Sequence, residues 1–153
     1  WKDAEAGVPW GVLLLFGGGL SLAAAAQSSG LAAWIGGSMP TGLNIFLLVI
    51  IFTTLIIFLT ELTSNLATTA TFLPIVAIIA TQFGFNPLLL TASIAIAASC
   101  AFMLPVATPP NAIVFGSELI KVPQMMRAGI AINLIAIIIV SLAGIYLVPY
   151  FLI

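Results

Sequence analysis

Apolar residues along this chain gather in long runs, separated by short clusters of Ser, Thr, Asn, Gly and Pro. The first run extends from Trp10 to about Ala26, some 17 residues, near the lower limit for a membrane span. Pro9 precedes it at a favoured helix start, and it dissolves in Gln27-Ser28-Ser29-Gly30. Leu31 to Gly37 is a short piece around the interface-seeking Trp34 and reads as an arm lying along a membrane surface. After a break at 38–42, a second run from Ile45 to Leu59 ends in Thr60-Glu61-Leu62-Thr63-Ser64-Asn65. The third run, Leu66 to about Ala80, contains Pro74 and has only 15 residues. At 1.5 Å per residue it covers about 22 Å, short of the ~30 Å of a full crossing. The polar cluster 60–65 therefore reads as the tip of a hairpin that enters the membrane and returns. Asn86-Pro87 caps a fourth run, Leu88 to Leu104. Then Pro105-Val106-Ala107-Thr108-Pro109-Pro110-Asn111 interrupts it, and apolar residues resume from Ala112 to Phe115. Three prolines so close together cannot continue an α-helix, so the pattern predicts a helix broken inside the membrane. The last run, about Ala128 to Val148, is a plain span with one polar residue, Asn133.

Composition sharpens this into an all-α membrane protein with transmembrane helices, a re-entrant helical hairpin and a proline-broken helix. Of 153 residues 63% are hydrophobic and only 5% charged, against about a quarter in a soluble domain. Seven charges cannot cover a water-facing surface of this size. That excludes a cytosolic enzyme and, with no basic patch, a nucleic-acid partner. There is no His, hence no Ser-His relay, and the single Cys100 forms neither an internal disulfide nor a zinc site. No signal peptide is visible ahead of the first run. Placing the basic residues Lys2, Lys121 and Arg127 on the cytoplasmic side gives one consistent topology, with the hairpin dipping in from outside and the C-terminus outside.

Two irregular elements carry the candidate chemistry, the tip at Thr60–Asn65 and the break at Ala107–Asn111. Paired, discontinuous elements at membrane depth are where secondary transporters hold substrates and coupling ions. A half-helix beginning at Leu66 or Asn111 offers free N–H groups and a positive dipole end, suited to an anion. One ending near Leu62 or Leu104 offers carbonyl oxygens, suited to Na⁺, with Thr and Asn oxygens completing the shell. Glu61, if buried, is a functional candidate whose expected task is to bond tip N–H groups. Gly17-Gly18-Gly19 reads as close helix packing. The plainer alternatives are that tip residues are simple helix caps and that Glu61 is an exposed loop residue.

The stretches Trp10–Gly19, Thr60-Glu61 with Thr63-Ser64-Asn65, and Cys100–Phe115, above all Leu104-Pro105-Val106-Ala107-Thr108-Pro109-Pro110-Asn111-Ala112-Ile113-Val114-Phe115, resemble the divalent anion/sodium symporter family, the di- and tricarboxylate transporters. Members are longer and contain two inverted repeats, so the resemblance implies the C-terminal part, one half of an inverted-repeat transporter. It implies a scaffold-type helix and interfacial arm at 1–40 and a transport-type region at 41–153. That region holds the hairpin at about 43–81, the broken helix at about 87–120 and the final helix at about 124–150. The family's tip motif is Ser-Asn-Thr; Ser64 and Asn65 match it and Leu66 replaces the Thr. By resemblance Ser64, Asn65, Thr108 and Pro109 bind substrate. Thr60, Thr63, Asn65 and the Ala107 carbonyl bind Na⁺, and Glu61 and Asn111 support them.

The expectation is thus sodium-coupled secondary transport of di- or tricarboxylates, succinate-like dianions, by an elevator mechanism. The chain would be no enzyme and would use Na⁺ without an organic cofactor. Its partners would be a small carboxylate anion, the lipid bilayer, the N-terminal repeat and a second copy in a homodimer. The expected location is a bacterial inner membrane. The rivals are a carrier for sulfate or a Na⁺-independent dicarboxylate exchanger, kept open by Leu66, and a non-transporting membrane subunit whose breaks only aid packing. An intramembrane enzyme fits poorly, because Glu61 is the only acid deep in an apolar stretch.

Overall fold

The computed structural model describes residues 10–31, 34 and 44–152. Among these residues the regular structure is helical: α1 (Trp10–Ser28), α2 (Ile45–Thr60), α3 (Asn65–Gln82), α4 (Pro87–Ala97), α5 (Pro109–Gly116) and α6 (Val122–Leu152). Pro9 and, apart from Leu31 and Trp34, the arm expected at 31–37 lie outside the described residues.

Four of these helices start on a side chain that caps them. Asn44 accepts from the Leu47 N–H at 2.8 Å, Ser64 from Ala67 at 3.1 Å, Asn86 from Leu88 at 3.0 Å and Thr108 from Asn111 at 3.4 Å. After α3, Gly84 takes φ 75, a left-handed turn that lets the Phe85 N–H reach back to the Ala80 carbonyl at 3.0 Å.

The limbs α2 and α3 touch each other little beyond the tip. Both pack on α4, and α6 packs on α2 and α4. Leu48, Ile56, Ile57, Val76, Leu90 and Ile94 fill the centre of this arrangement. Helix α1 lies on α3, where a Cβ on Gly19 would stand 2.3 Å from the Ala70 carbonyl oxygen. Pro74 has no N–H to give that carbonyl its helical hydrogen bond, so the glycine sits where the freed oxygen protrudes. A Cβ on Gly17 or Gly18 would meet nothing within 4 Å. Within the glycine run, close packing is therefore seen at Gly19.

Among the described residues two helices, α3 and α6, are long and apolar enough to cross a membrane; α3 has 18 residues where the apolar run counted 15, which corrects the expectation of a limb too short to cross. On α6 the exposed positions include Leu134, Ile135, Ile138 and Ile139, while Asn133 and Ser141 are buried. Apolar outside and polar inside is the pattern of a helix whose solvent is lipid.

One expected boundary is corrected. The fourth run predicts helix as far as Leu104, whereas α4 ends at Ala97. The N–H groups of Phe102, Met103 and Leu104 turn to the Glu61 side chain in place of helical carbonyls. Pro105 also disfavours a helical Leu104. Pro109 and Pro110 do not break a helix; they begin α5, where their missing N–H groups would have had no helical partner. The irregular segment is thus 98–108.

Candidate functional site

Between the end of α4 at Ala97 and the start of α5 at Pro109 the chain has backbone donors and acceptors without helical partners. Here three side chains take them up. Glu61 is 3% exposed. Its Oε1 accepts from the N–H of Phe102 at 2.8 Å and Met103 at 2.9 Å, and its Oε2 from Leu104 at 3.0 Å. Asn111, also buried, donates both amide hydrogens backwards, to the carbonyls of Ala101 at 2.9 Å and Leu104 at 3.0 Å. The Thr60 hydroxyl lies 2.9 Å from the Ala98 carbonyl. Three N–H groups and three carbonyls of the break are therefore matched by residues from the tip and from α5.

Glu61 accordingly has a different task from the expected one. It is buried, but it bonds the break and not the tip. The tip N–H groups are used elsewhere: Leu62 and Thr63 both donate to the Leu59 carbonyl, at 3.1 and 3.2 Å, and Ala67 to Ser64. The physical reason is position. Glu61 directly follows α2 on its buried side, facing the turn at 102–104, whereas the tip runs on into the open.

Beyond these braces lies a cleft of about 510 Å³ lined by Leu62, Thr63 and Ser64 of the tip, by Pro105, Val106, Ala107 and Thr108 of the break and by Pro109 and Ala112 of α5. The cleft brings together Ser64, Thr63, Ala107, Thr108 and Pro109 among the residues singled out from the sequence. Thr60 and Asn65 stand beside it as a bonded pair, the Thr60 hydroxyl 2.8 Å from Asn65 Oδ1. Glu61 and Asn111 hold the break from behind. Thr63 shares its hydroxyl with the Leu59 carbonyl at 3.0 Å and with the Thr68 hydroxyl at 2.6 Å.

The polar groups at the cleft are of two kinds. Toward an anion, Ser64 and Thr108 each accept a capping N–H and keep the hydroxyl hydrogen. They mark the starts of α3 and α5, so two positive dipole ends border one cleft. The N–H supply differs from the expected one: α5 opens with two prolines and Asn111 is capped, leaving α3 as the better N–H donor. Toward a cation, Thr60 Oγ1, Asn65 Oδ1 and the Ala98 carbonyl oxygen form a cluster in which one hydroxyl hydrogen serves two acceptors. An all-oxygen set with surplus lone pairs suits a hard cation.

The sequence reading passed over two residues. Gly129 of α6 lies against the break, where a Cβ would be 2.4 Å from the Phe102 oxygen and 2.5 Å from Met103 Cα. Asn133, one turn on, donates to Glu61 Oε1 at 2.7 Å. A lone Asn in an aliphatic span was the available signal; Gly129 offered none.

Comparison with known proteins gives concordant results. The family model described as the sodium:sulfate symporter transmembrane region matches residues 1–153. The chain is 46% identical over 151 residues to the sodium-dependent dicarboxylate transporter SdcS of Staphylococcus saprophyticus, covering 97% of this chain and 29% of that protein. It is 49% identical over 151 residues to the protein of the same name from Staphylococcus aureus strain MRSA252, with the same 97% and 29% coverage. The chain thus spans about 29% of the length of the curated relatives it matches.

Proposed function

The chain belongs to the sodium:sulfate symporter family, and from that premise we propose that it forms part of a sodium-coupled carrier of di- or tricarboxylates of the succinate type. It would be the C-terminal part of an inverted-repeat transporter in a bacterial cell membrane, with its C-terminus outside. The observation that carries this reading is the cleft in which Ser64 and Thr108, each capping a helix start, border one space. The name borne by the SdcS relatives supports the choice of ion and substrate.

In this reading Ser64, Asn65, Thr108 and Pro109 hold one carboxylate of the anion through hydroxyl hydrogens, the first N–H groups of α3 and both dipole ends. Na⁺ takes oxygens from Thr60, Thr63, Asn65 and Ala107. The Ala98 carbonyl adds a candidate ligand that the resemblance did not supply. The cation neutralises charge beside the anion and fixes the tip. Each ligand therefore raises the affinity of the other by the same factor. The hairpin α2–α3 is re-entrant, and the region 41–153 moves as a transport body against a dimeric scaffold to which 1–40 belongs. Movement is coupled to the gradient only because Na⁺ and anion bind the inward- and outward-facing states with different affinity.

A second reading is favoured by one residue. Leu66 at the second position of α3 brings no hydroxyl to the tip, which weakens carboxylate binding relative to the family pattern and favours sulfate or Na⁺-independent exchange. Uptake of labelled succinate by the full-length protein in proteoliposomes decides between them. The expected result is accumulation that requires an inward Na⁺ gradient and resists excess sulfate. Uptake indifferent to Na⁺, or abolished by sulfate, contradicts it.

A further inference from the structure

We propose that Asn133 is a positioning residue for the cleft, acting through Glu61 on the turn at 102–104; this rests on the transport reading above. Asn133 is completely buried, on a helix that is otherwise almost entirely apolar over its central turns. Its amide nitrogen donates to Glu61 Oε1 at 2.7 Å, the same oxygen that accepts from Phe102 and Met103. Its own Oδ1 is buried with no hydrogen-bond partner. A leucine at this position would avoid that orphaned acceptor, so packing does not account for the amide. Its donor function does.

The same face of α6 touches the turn a second time. Gly129 stands four residues before Asn133, hence one turn away on the same side. A Cβ there would lie 2.5 Å from Met103 Cα and 2.7 Å from Met103 N. Helix α6 therefore holds the turn by two contacts, backbone against Gly129 and, through Glu61, the amide of Asn133. The turn runs directly into Pro105, Val106, Ala107 and Thr108, which line the cleft. Asn133 itself is not among the lining residues, so its influence on ligands is indirect: it fixes where the Ala107 carbonyl and the Thr108 hydroxyl stand opposite the tip.

Two measurements on the full-length protein test this. In proteoliposomes, Asn133→Leu raises the KM for succinate about tenfold, the scale of one lost hydrogen bond to a carboxyl group, with Vmax changed by less than about twofold. Glu61→Gln raises KM as well, and the double variant is no worse than Glu61→Gln alone, because both act on one turn. A lower Vmax at unchanged KM, or multiplying effects in the double variant, overturns the proposal. If Asn133→Leu does not accumulate in membranes, Asn133→Ser, which fits the same space, is read in its place. Wild-type vesicles that show no Na⁺-driven uptake overturn the transport reading instead. The second measurement does not depend on transport. In a Cys100→Ser background, Asn133→Leu speeds thiol labelling of Ala107→Cys but not of Ser64→Cys. An unchanged rate at position 107 overturns the positioning role.

Discussion

The hydroxyl of Thr60 stands 2.9 Å from the carbonyl oxygen of Ala98, 38 residues further along the chain. These are the last turn of α2 and the first residue after α4, so two helices that end inside the bundle end against each other. Two helix C-termini that meet bring together unpaired carbonyls and negative dipole ends. The starts of α3 and α5 meet in the neighbouring cleft. Cation chemistry and anion chemistry are thereby placed side by side by where four helices stop and start.

Glu61 holds the break, so its loss is felt in stability first. Alanine leaves three part-buried backbone N–H groups without an acceptor, a cost of about 3 kcal/mol. Glutamine keeps one acceptor oxygen and turns an NH₂ group toward a donor. Thermal unfolding of the full-length protein in detergent should rank wild type above Glu61→Gln and Glu61→Ala lowest.

Asn111 does the converse work, with two hydrogens on two carbonyls. Asn111→Leu orphans the Ala101 oxygen and leaves that of Leu104 with the Ala107 N–H alone, at 3.2 Å, for about 1–2 kcal/mol. Asn111→Asp places its oxygens against theirs and should be worse still. The same unfolding assay checks the order, and equal melting of Asp and Leu variants would contradict it.

Gly129 and Gly17 make a matched pair for the packing claim. Alanine at 129 collides with the backbone of Phe102 and Met103, which cannot rotate aside; alanine at 17 meets nothing within 4 Å. Gly129→Ala should cost about 1–3 kcal/mol, and Gly17→Ala should stay within about 0.5 kcal/mol of wild type.

Leu66 is 45% exposed at the start of α3. Leu66→Thr restores the hydroxyl of the family's tip motif. One added hydrogen bond is worth about 0.5–1.5 kcal/mol, so the KM for succinate in proteoliposomes should fall about 2- to 10-fold. No change would show that position 66 does not face the anion.

Much of the helical layout was legible because lipid imposes long apolar runs and because a cap is local: Asn86 before Pro87 marks the start of α4 within its own neighbourhood. The tip at 60–65 announced itself as polar residues between short apolar limbs. The break was placed too late, at the prolines, because the cause of its onset is not local. Glu61 captures the N–H groups of residues about forty positions away, and such a partnership leaves no trace in periodicity. Gly129 escaped for the same reason, since its meaning lies in which backbone passes beside it, and Asn133 stood out as a lone amide whose partner, Glu61, lies 72 residues away. The partner of the Gly19 seat, the Ala70 carbonyl freed by Pro74, was equally out of reach until α1 was seen lying on α3.

The central claim is that tip and break form one site for anion and cation. It is tested most directly by ligand protection in the full-length protein with every native cysteine, Cys100 among them, replaced by Ser. Leu62→Cys of the tip and Val106→Cys of the break, which line the cleft without holding ligand, are each labelled with a membrane-impermeant thiol reagent, with and without succinate and Na⁺. The account expects both positions to be shielded together, and only when succinate and Na⁺ are both present. Shielding of one position alone, or labelling at the same rate under all conditions, would contradict it.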